Sequence, residues 1–124
     1  MSEQKNMVQV AYMALDEKKG EDIKIIEISQ ISVMADYFII ANGTNISQVQ
    51  ALVDNVQEKM HKAGYVAKRV EGNRSSSWIL IDYGDIVVHI FDREDRLFYD
   101  LERIWCDGKQ LTLEECCGLP ADNE

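Results

Sequence analysis

Residues 78–91 read Trp78-Ile79-Leu80-Ile81-Asp82-Tyr83-Gly84-Asp85-Ile86-Val87-Val88-His89-Ile90-Phe91. Two apolar runs flank a short connection, and a two-residue link with glycine second, Tyr83-Gly84, is a type I′ hairpin signal. With the turn there, Asp82 stands opposite Asp85, Ile81 opposite Ile86, Leu80 opposite Val87, Ile79 opposite Val88 and Trp78 opposite His89. Cross-strand partners share a face, so the hairpin has two unlike sides. One carries Ile79, Ile81, Ile86, Val88 and Ile90, all aliphatic, and must face a core. The other carries Trp78, Leu80, Asp82, Asp85, Val87, His89 and Phe91, mixing aromatic and charged groups as protein interfaces do.

Working outward, Tyr65 to Val70 reads as a strand, separated from the hairpin by the polar loop Gly72-Asn73-Arg74-Ser75-Ser76-Ser77. Before it, Ile46, Val49, Leu52, Val53, Val56 and Met60 form one helical stripe. Asn45 is placed as its N-cap, Gln48 stands at the third helical position, and Gly64 sits where a left-handed cap would close it. Upstream, Ile23 to Ile28 and Tyr37 to Ala41 read as strands, the second apolar on both faces. Met7, Val10, Ala11, Ala14 and Leu15 mark a first helix from about Lys5 to Lys18, with Gly20 as its cap. After the hairpin, Leu97, Phe98, Leu101, Ile104 and Trp105 mark a last helix capped by Asp92.

The order helix, two strands, helix, three strands, helix predicts an α+β fold. It implies one mixed β-sheet of about five strands, covered by helices mainly on one face. Residues 1–107 form a single domain and residues 108–124 an acidic C-terminal tail. At 124 residues, 46% hydrophobic and with one proline, the chain suits one packed core burying roughly two thirds of its unfolded surface. The first residues lack a basic leader with an apolar run, and no stretch approaches the ~18 apolar residues of a membrane span. The expected setting is cytoplasmic, away from membranes. Cys106, Cys116 and Cys117 are odd in number and read as free thiols.

Thirteen Lys and Arg against 22 Asp and Glu give a formal net charge of −9. That charge opposes a phosphate backbone, so little direct nucleic-acid binding is expected. It favours a basic protein surface, although solubility alone would also account for it. Asp82 and Asp85, if opposed, repel one another, and a cationic partner would relieve that; the alternative is a solvated turn. Trp78 is either exposed on the mixed face or covered by a helix.

Signals of catalysis are sparse. No phosphate-binding loop, nucleophile elbow or dinucleotide fingerprint is present. Gly43-Thr44 ends a strand and opens a helix, which a turn plus cap explains. His61 and His89 stand apart from Cys and acidic residues in zinc-ligand spacing, His89 being read as a half-exposed face residue. Neither catalytic residues, a metal nor a cofactor is expected.

The segments Val70-Glu71-Gly72, residues 78–91, Arg96, Phe98-Tyr99-Asp100-Leu101-Glu102 and Ile104-Trp105, with Asp36-Tyr37-Phe38-Ile39-Ile40-Ala41-Asn42-Gly43-Thr44, resemble the signature of the ribosomal silencing factor (Iojap-like) family. The resemblance spans about residues 5–107. It implies a nucleotidyltransferase-like α/β fold without that enzymatic activity. It further implies binding to the large ribosomal subunit through large-subunit protein fourteen, steric blockage of small-subunit association, and repression of translation. By this analogy and the face argument, the partner-binding residues are Trp78, Leu80, Asp82, Tyr83, Asp85, His89 and Phe91. Arg96 and Tyr99 of the last helix come second. A homodimer of the free protein through the same face is compatible with this. The competing reading is a nucleotidyltransferase-like phosphoryl-transfer enzyme, in which two carboxylates would converge on Mg²⁺.

Overall fold

A computed structural model describes residues 3–28, 35–72, 78–92 and 109–111. Helix α1 (Glu3–Glu17) buries Met7, Val8, Ala11, Ala14 and Leu15, the spacing of one helical face. It ends with Lys19, not Gly20, in the left-handed region (φ 62). Strand β1 (Glu21–Glu27) follows, with a bulge between Glu21 and Lys24 where Asp22 takes φ 50. Strand β2 (Tyr37–Gly43) is buried on nearly every residue, as a central strand must be.

Helix α2 (Ile46–Lys62) starts as the sequence indicates: Asn45 Oδ1 accepts the Gln48 N–H at 2.9 Å. Gln48 reaches back one residue further than a capping box, accepting from the Thr44 main-chain N–H at 2.6 Å and its hydroxyl at 2.8 Å. Its amide also donates to Lys19 O at 3.0 Å, tying the start of α2 to the end of α1. At the far end Gly64 adopts φ 95. Its N–H donates to His61 O at 3.0 Å, and that of Tyr65 to Met60 O at 2.8 Å, the two bonds of a Schellman motif.

Strands β3 (Arg69–Glu71), β4 (Trp78–Asp82), β5 (Ile86–Asp92) and the short β6 (Lys109–Leu111) complete a mixed six-stranded sheet of order β3-β4-β5-β2-β1-β6. Only β2 and β5 are parallel among its pairs. The α+β class stands. Of the strand expected over 65–70, only its end pairs with β4. The segment assigned to a tail begins with β6, antiparallel to β1. The expected last helix and the three cysteines lie outside the described residues.

Both helices pack on one face of the sheet, against Ile25, Ile39, Ala41, Ile79, Ile81, Ile86, Val88 and Ile90. The other face has its own cluster of Ile26, Ile28, Ala35, Ile40, Val87 and Phe91. A slip of one residue in the β4–β5 pairing would turn either Ile79 and Ile81 of β4 or Ile86, Val88 and Ile90 of β5 out of the core. At about 2 kcal/mol each, that is about 4–6 kcal/mol, a large share of the stability of a domain this size.

The hairpin register corrects the sequence reading. The pairs are Trp78↔Phe91, Ile79↔Ile90, Leu80↔His89, Ile81↔Val88 and Asp82↔Val87. Tyr83 N–H donates to Ile86 O at 2.9 Å, so the turn is Gly84-Asp85. Gly84 has φ 91 and Asp85 a negative φ, the pattern of a type II′ turn with glycine at the first central position. Asp82 and Asp85 are therefore not opposed.

A half-open aromatic and acidic corner on the second sheet face

The register fixes the composition of the face that the two helices leave to itself. Across the strands run Arg69 and Glu71 from β3, Trp78, Leu80 and Asp82 from β4, and Val87, His89 and Phe91 from β5. Phe38, Ile40 and Asn42 follow from β2, then Lys24 and Ile26 from β1. Its centre is sealed, with Ile26, Ile40 and Phe91 fully buried. Toward the β3–β4 edge it opens: Trp78, Leu80 and Asp82 are half-buried, and Arg69, Glu71 and Asp85 are exposed. A hollow of about 190 Å³ is lined there by Glu71, Gly72, Trp78 and Leu80.

The residues expected as one docking surface therefore divide. His89 is only 3% exposed and Phe91 is fully buried, so neither presents a surface to a partner. Both lie on strand β5, flanked by β4 and β2, with their rings against Trp78 and, for His89, also Phe38. Tyr83 leaves the turn, pairs with Ile86 and joins the helix-covered core; burial pushes its phenol up to about 12. Trp78, Leu80 and Asp82 are half-buried and Asp85 is exposed. Arg96 and Tyr99 lie outside the described residues.

Trp78 is held from behind by aromatic rings. Its ring stacks on Phe91 with centroids 5.3 Å apart and on His89 at 5.9 Å, while Phe38 meets His89 edge-on at 4.6 Å. The indole N–H donates to His89 Nδ1 at 3.2 Å. Burial pushes the imidazole down to about 4, so His89 is neutral near pH 7.

Asp82 is committed on both carboxylate oxygens. Oδ1 accepts the Gly84 N–H at 2.8 Å, and Oδ2 lies 3.4 Å from Arg69 Nε, whose guanidinium also meets Glu71 at 3.0 Å. The main-chain oxygen of Asp85 accepts from the N–H of Asp36 at 2.8 Å, pinning the turn to the approach of β2. Asp82 thus serves the turn and an ion pair, and no convergent carboxylate pair for Mg²⁺ forms on the hairpin. Among the described residues no group of three or more His, Cys, Asp and Glu side chains is gathered for a metal.

Gly43-Thr44 serves the α2 cap, and His61 is exposed in the last turn of α2, where a cation suits the helix dipole. Arg69 and Glu71 belong to the corner but escaped the sequence reading. The loop between β3 and β4 hides their register, and only the placement of Val70-Glu71 within the family-like segment signals them.

Residues 1–124 match the family described as "Ribosomal silencing factor during starvation". The chain belongs to the ribosomal silencing factor family. It is 37% identical over 111 residues to the ribosomal silencing factor RsfS of Bacillus subtilis, covering 90% of this chain and 94% of that protein. With the protein of the same name from Halalkalibacterium halodurans the identity is 39% over 108 residues, covering 87% and 92%. An X-ray crystal structure of a Chromobacterium violaceum protein superposes with a TM-score of 0.81 at 34% identity, covering 90% of this chain and 92% of that one. The name these silencing factors carry describes a regulatory role at the ribosome, not a catalytic one. No helix among the described residues is long and apolar enough to cross a membrane.

Proposed function

We propose that this silencing factor works in the cytoplasm, docks on the large ribosomal subunit through the β4 corner and blocks the small subunit from joining, so repressing translation. The contact is with a basic ribosomal protein, large-subunit protein fourteen, rather than with RNA. Trp78 and Leu80 supply the apolar centre, while Asp82 and Asp85 face Lys and Arg at the rim. Arg96 and Tyr99 belong to the same proposal.

The observation that supports it best is the half-buried Trp78–Leu80 pair flanked by carboxylates, on a chain of net charge −9. Aromatic side chains rimmed by charge are the usual anchors of protein interfaces. Occlusion requires affinity and no chemistry. A dissociation constant near 1 μM corresponds to about 8 kcal/mol, within reach of an interface of about 1,600 Å².

Sedimentation with separated subunits tests the reading. The protein is expected to travel with large subunits and to reduce joined ribosomes in proportion to its concentration. Equal binding to both subunits, or undiminished joining at saturation, refutes it.

A further inference from the structure

We infer that His89 is a positioning residue: its buried imidazole accepts the indole N–H of Trp78 and so fixes the ring at the β4 corner. The inference rests on the docking role proposed for Trp78, but its structural half can be measured independently.

Leu80 stands directly opposite His89, and Trp78 opposite Phe91, so Trp78 and His89 are diagonal neighbours on one face. Long aromatic side chains span that diagonal, and the Nε1–Nδ1 distance of 3.2 Å shows that these two do. Indole N–H can only donate. His89 Nδ1 must therefore carry the lone pair and Nε2 the proton. Nε2 is buried and finds no hydrogen-bond partner among the described residues.

That orphaned nitrogen makes the imidazole a poor choice for packing alone. A phenylalanine would stack against Phe38, Trp78 and Phe91 without burying an unsatisfied polar atom. What histidine adds is the acceptor at Nδ1. Ring stacking restricts the plane of the indole but leaves its in-plane orientation free; the hydrogen bond selects which edge turns outward. Because burial keeps the imidazole neutral, the acceptor persists across the physiological range.

The test uses the full-length protein with Trp105→Phe, which leaves Trp78 as the single tryptophan. His89→Phe should raise acrylamide quenching of Trp78 fluorescence and weaken binding to purified bacterial large subunits about tenfold, the worth of one neutral hydrogen bond. His89→Asn, whose amide oxygen stands close to the Nδ1 position, should restore much of both. Quenching that is unchanged in His89→Phe, or loosened equally in His89→Asn, overturns the inference. Nitrogen-15 spectra of the unsubstituted protein decide it even where a variant fails to fold: a proton on Nε2 is expected, and a proton on Nδ1 overturns it. If Trp78→Ala leaves subunit affinity intact, the docking proposal fails, while the quenching and tautomer results still decide the pairing.

Discussion

The side-chain amide of Asn55 donates to the main-chain carbonyl of Ala14 at 2.8 Å, joining α2 to the last turn of α1. The same amide meets Glu17 Oε1 at 2.9 Å, and this bond, with the Lys59 ammonium nearby, holds the Glu17 carboxyl below its usual range. Carbonyls in the last turn of a helix run short of partners within the helix, and a buried amide supplies one. Asn55→Leu is expected to lower stability by about 1–3 kcal/mol by removing that donor. The thermal midpoint measures it; an unchanged midpoint would show that water satisfies Ala14 equally well.

Gly84 carries φ 91 at the first central position of the hairpin turn. An added Cβ would come within 2.9 Å of the end of the flexible Lys68 side chain, which can move aside, so backbone strain dominates. Gly84→Ala should cost about 1–2 kcal/mol with the fold retained. Denaturant unfolding checks it. A neutral result would mean the turn has relaxed to another type.

Asp82 has two separable tasks. Asp82→Asn keeps an oxygen for the Gly84 N–H and loses the charge, whereas Asp82→Ala loses both. The amide variant should fold nearly normally, since its ion pair with exposed Arg69 is worth at most about 1 kcal/mol. It should also bind large subunits more weakly at low salt and with a flatter salt dependence. Alanine should in addition lose about 1 kcal/mol of stability. Equal salt dependence in the wild type and the amide variant would remove Asp82 from the contact.

Trp78 is half-buried and packs on the second cluster, so its truncation touches both fold and binding. From the hairpin faces alone, Trp78→Ala should abolish binding and spare the fold. With the packing known, the expectation is a stability loss of about 1–3 kcal/mol alongside an affinity loss of about 2–4 kcal/mol. Parallel measurements of unfolding and large-subunit affinity separate the two. Affinity that falls no further than the folded fraction does would assign Trp78 to the core.

The His89 imidazole sits at about 4 in the folded protein against an ordinary 6.5. Between those values the unfolded chain binds the extra proton, so stability falls as pH drops from about 6.5 and stops falling from this cause below about 4. The full effect is about 3 kcal/mol at roughly 1.4 kcal/mol per unit. Carboxylates titrate in the lower part of that window, so the check is a difference. The slope of stability with pH from 7 to 4.5 should be shallower in His89→Phe than in the wild type. Parallel slopes would show that His89 titrates normally.

Face membership in the hairpin was legible in sequence although its turn was not. Moving the turn centre from Tyr83-Gly84 to Gly84-Asp85 shifts every pair by two positions, and two is the side-chain period of a strand. Ile79, Ile81, Ile86, Val88 and Ile90 therefore stay on the core side under either register. Tyr83 and Asp85 do not share that protection, because they exchange places between strand and turn. A glycine in a two-residue link signals the turn in either position, and only the pairing of Tyr83 with Ile86 decides between them.

By itself the sequence determined the element order from α1 to β5, the α2 stripe with its Asn45 and Gly64 caps, the division of the hairpin into an aliphatic and a mixed side, and the family. Each of these depends on spacing along the chain, which periodicity and capping chemistry record locally. Only the tertiary structure decided that His89 and Phe91 are sealed while Trp78, Leu80 and Asp82 stay half-open, and that Asn55 reaches Ala14. Burial depends on which strand lies between which neighbours. The parallel pairing of β2 with β5 places His89 in the middle of the sheet through residues nearly fifty positions away, as Ile40↔His89 shows, and nothing in the local pattern encodes so distant a partner.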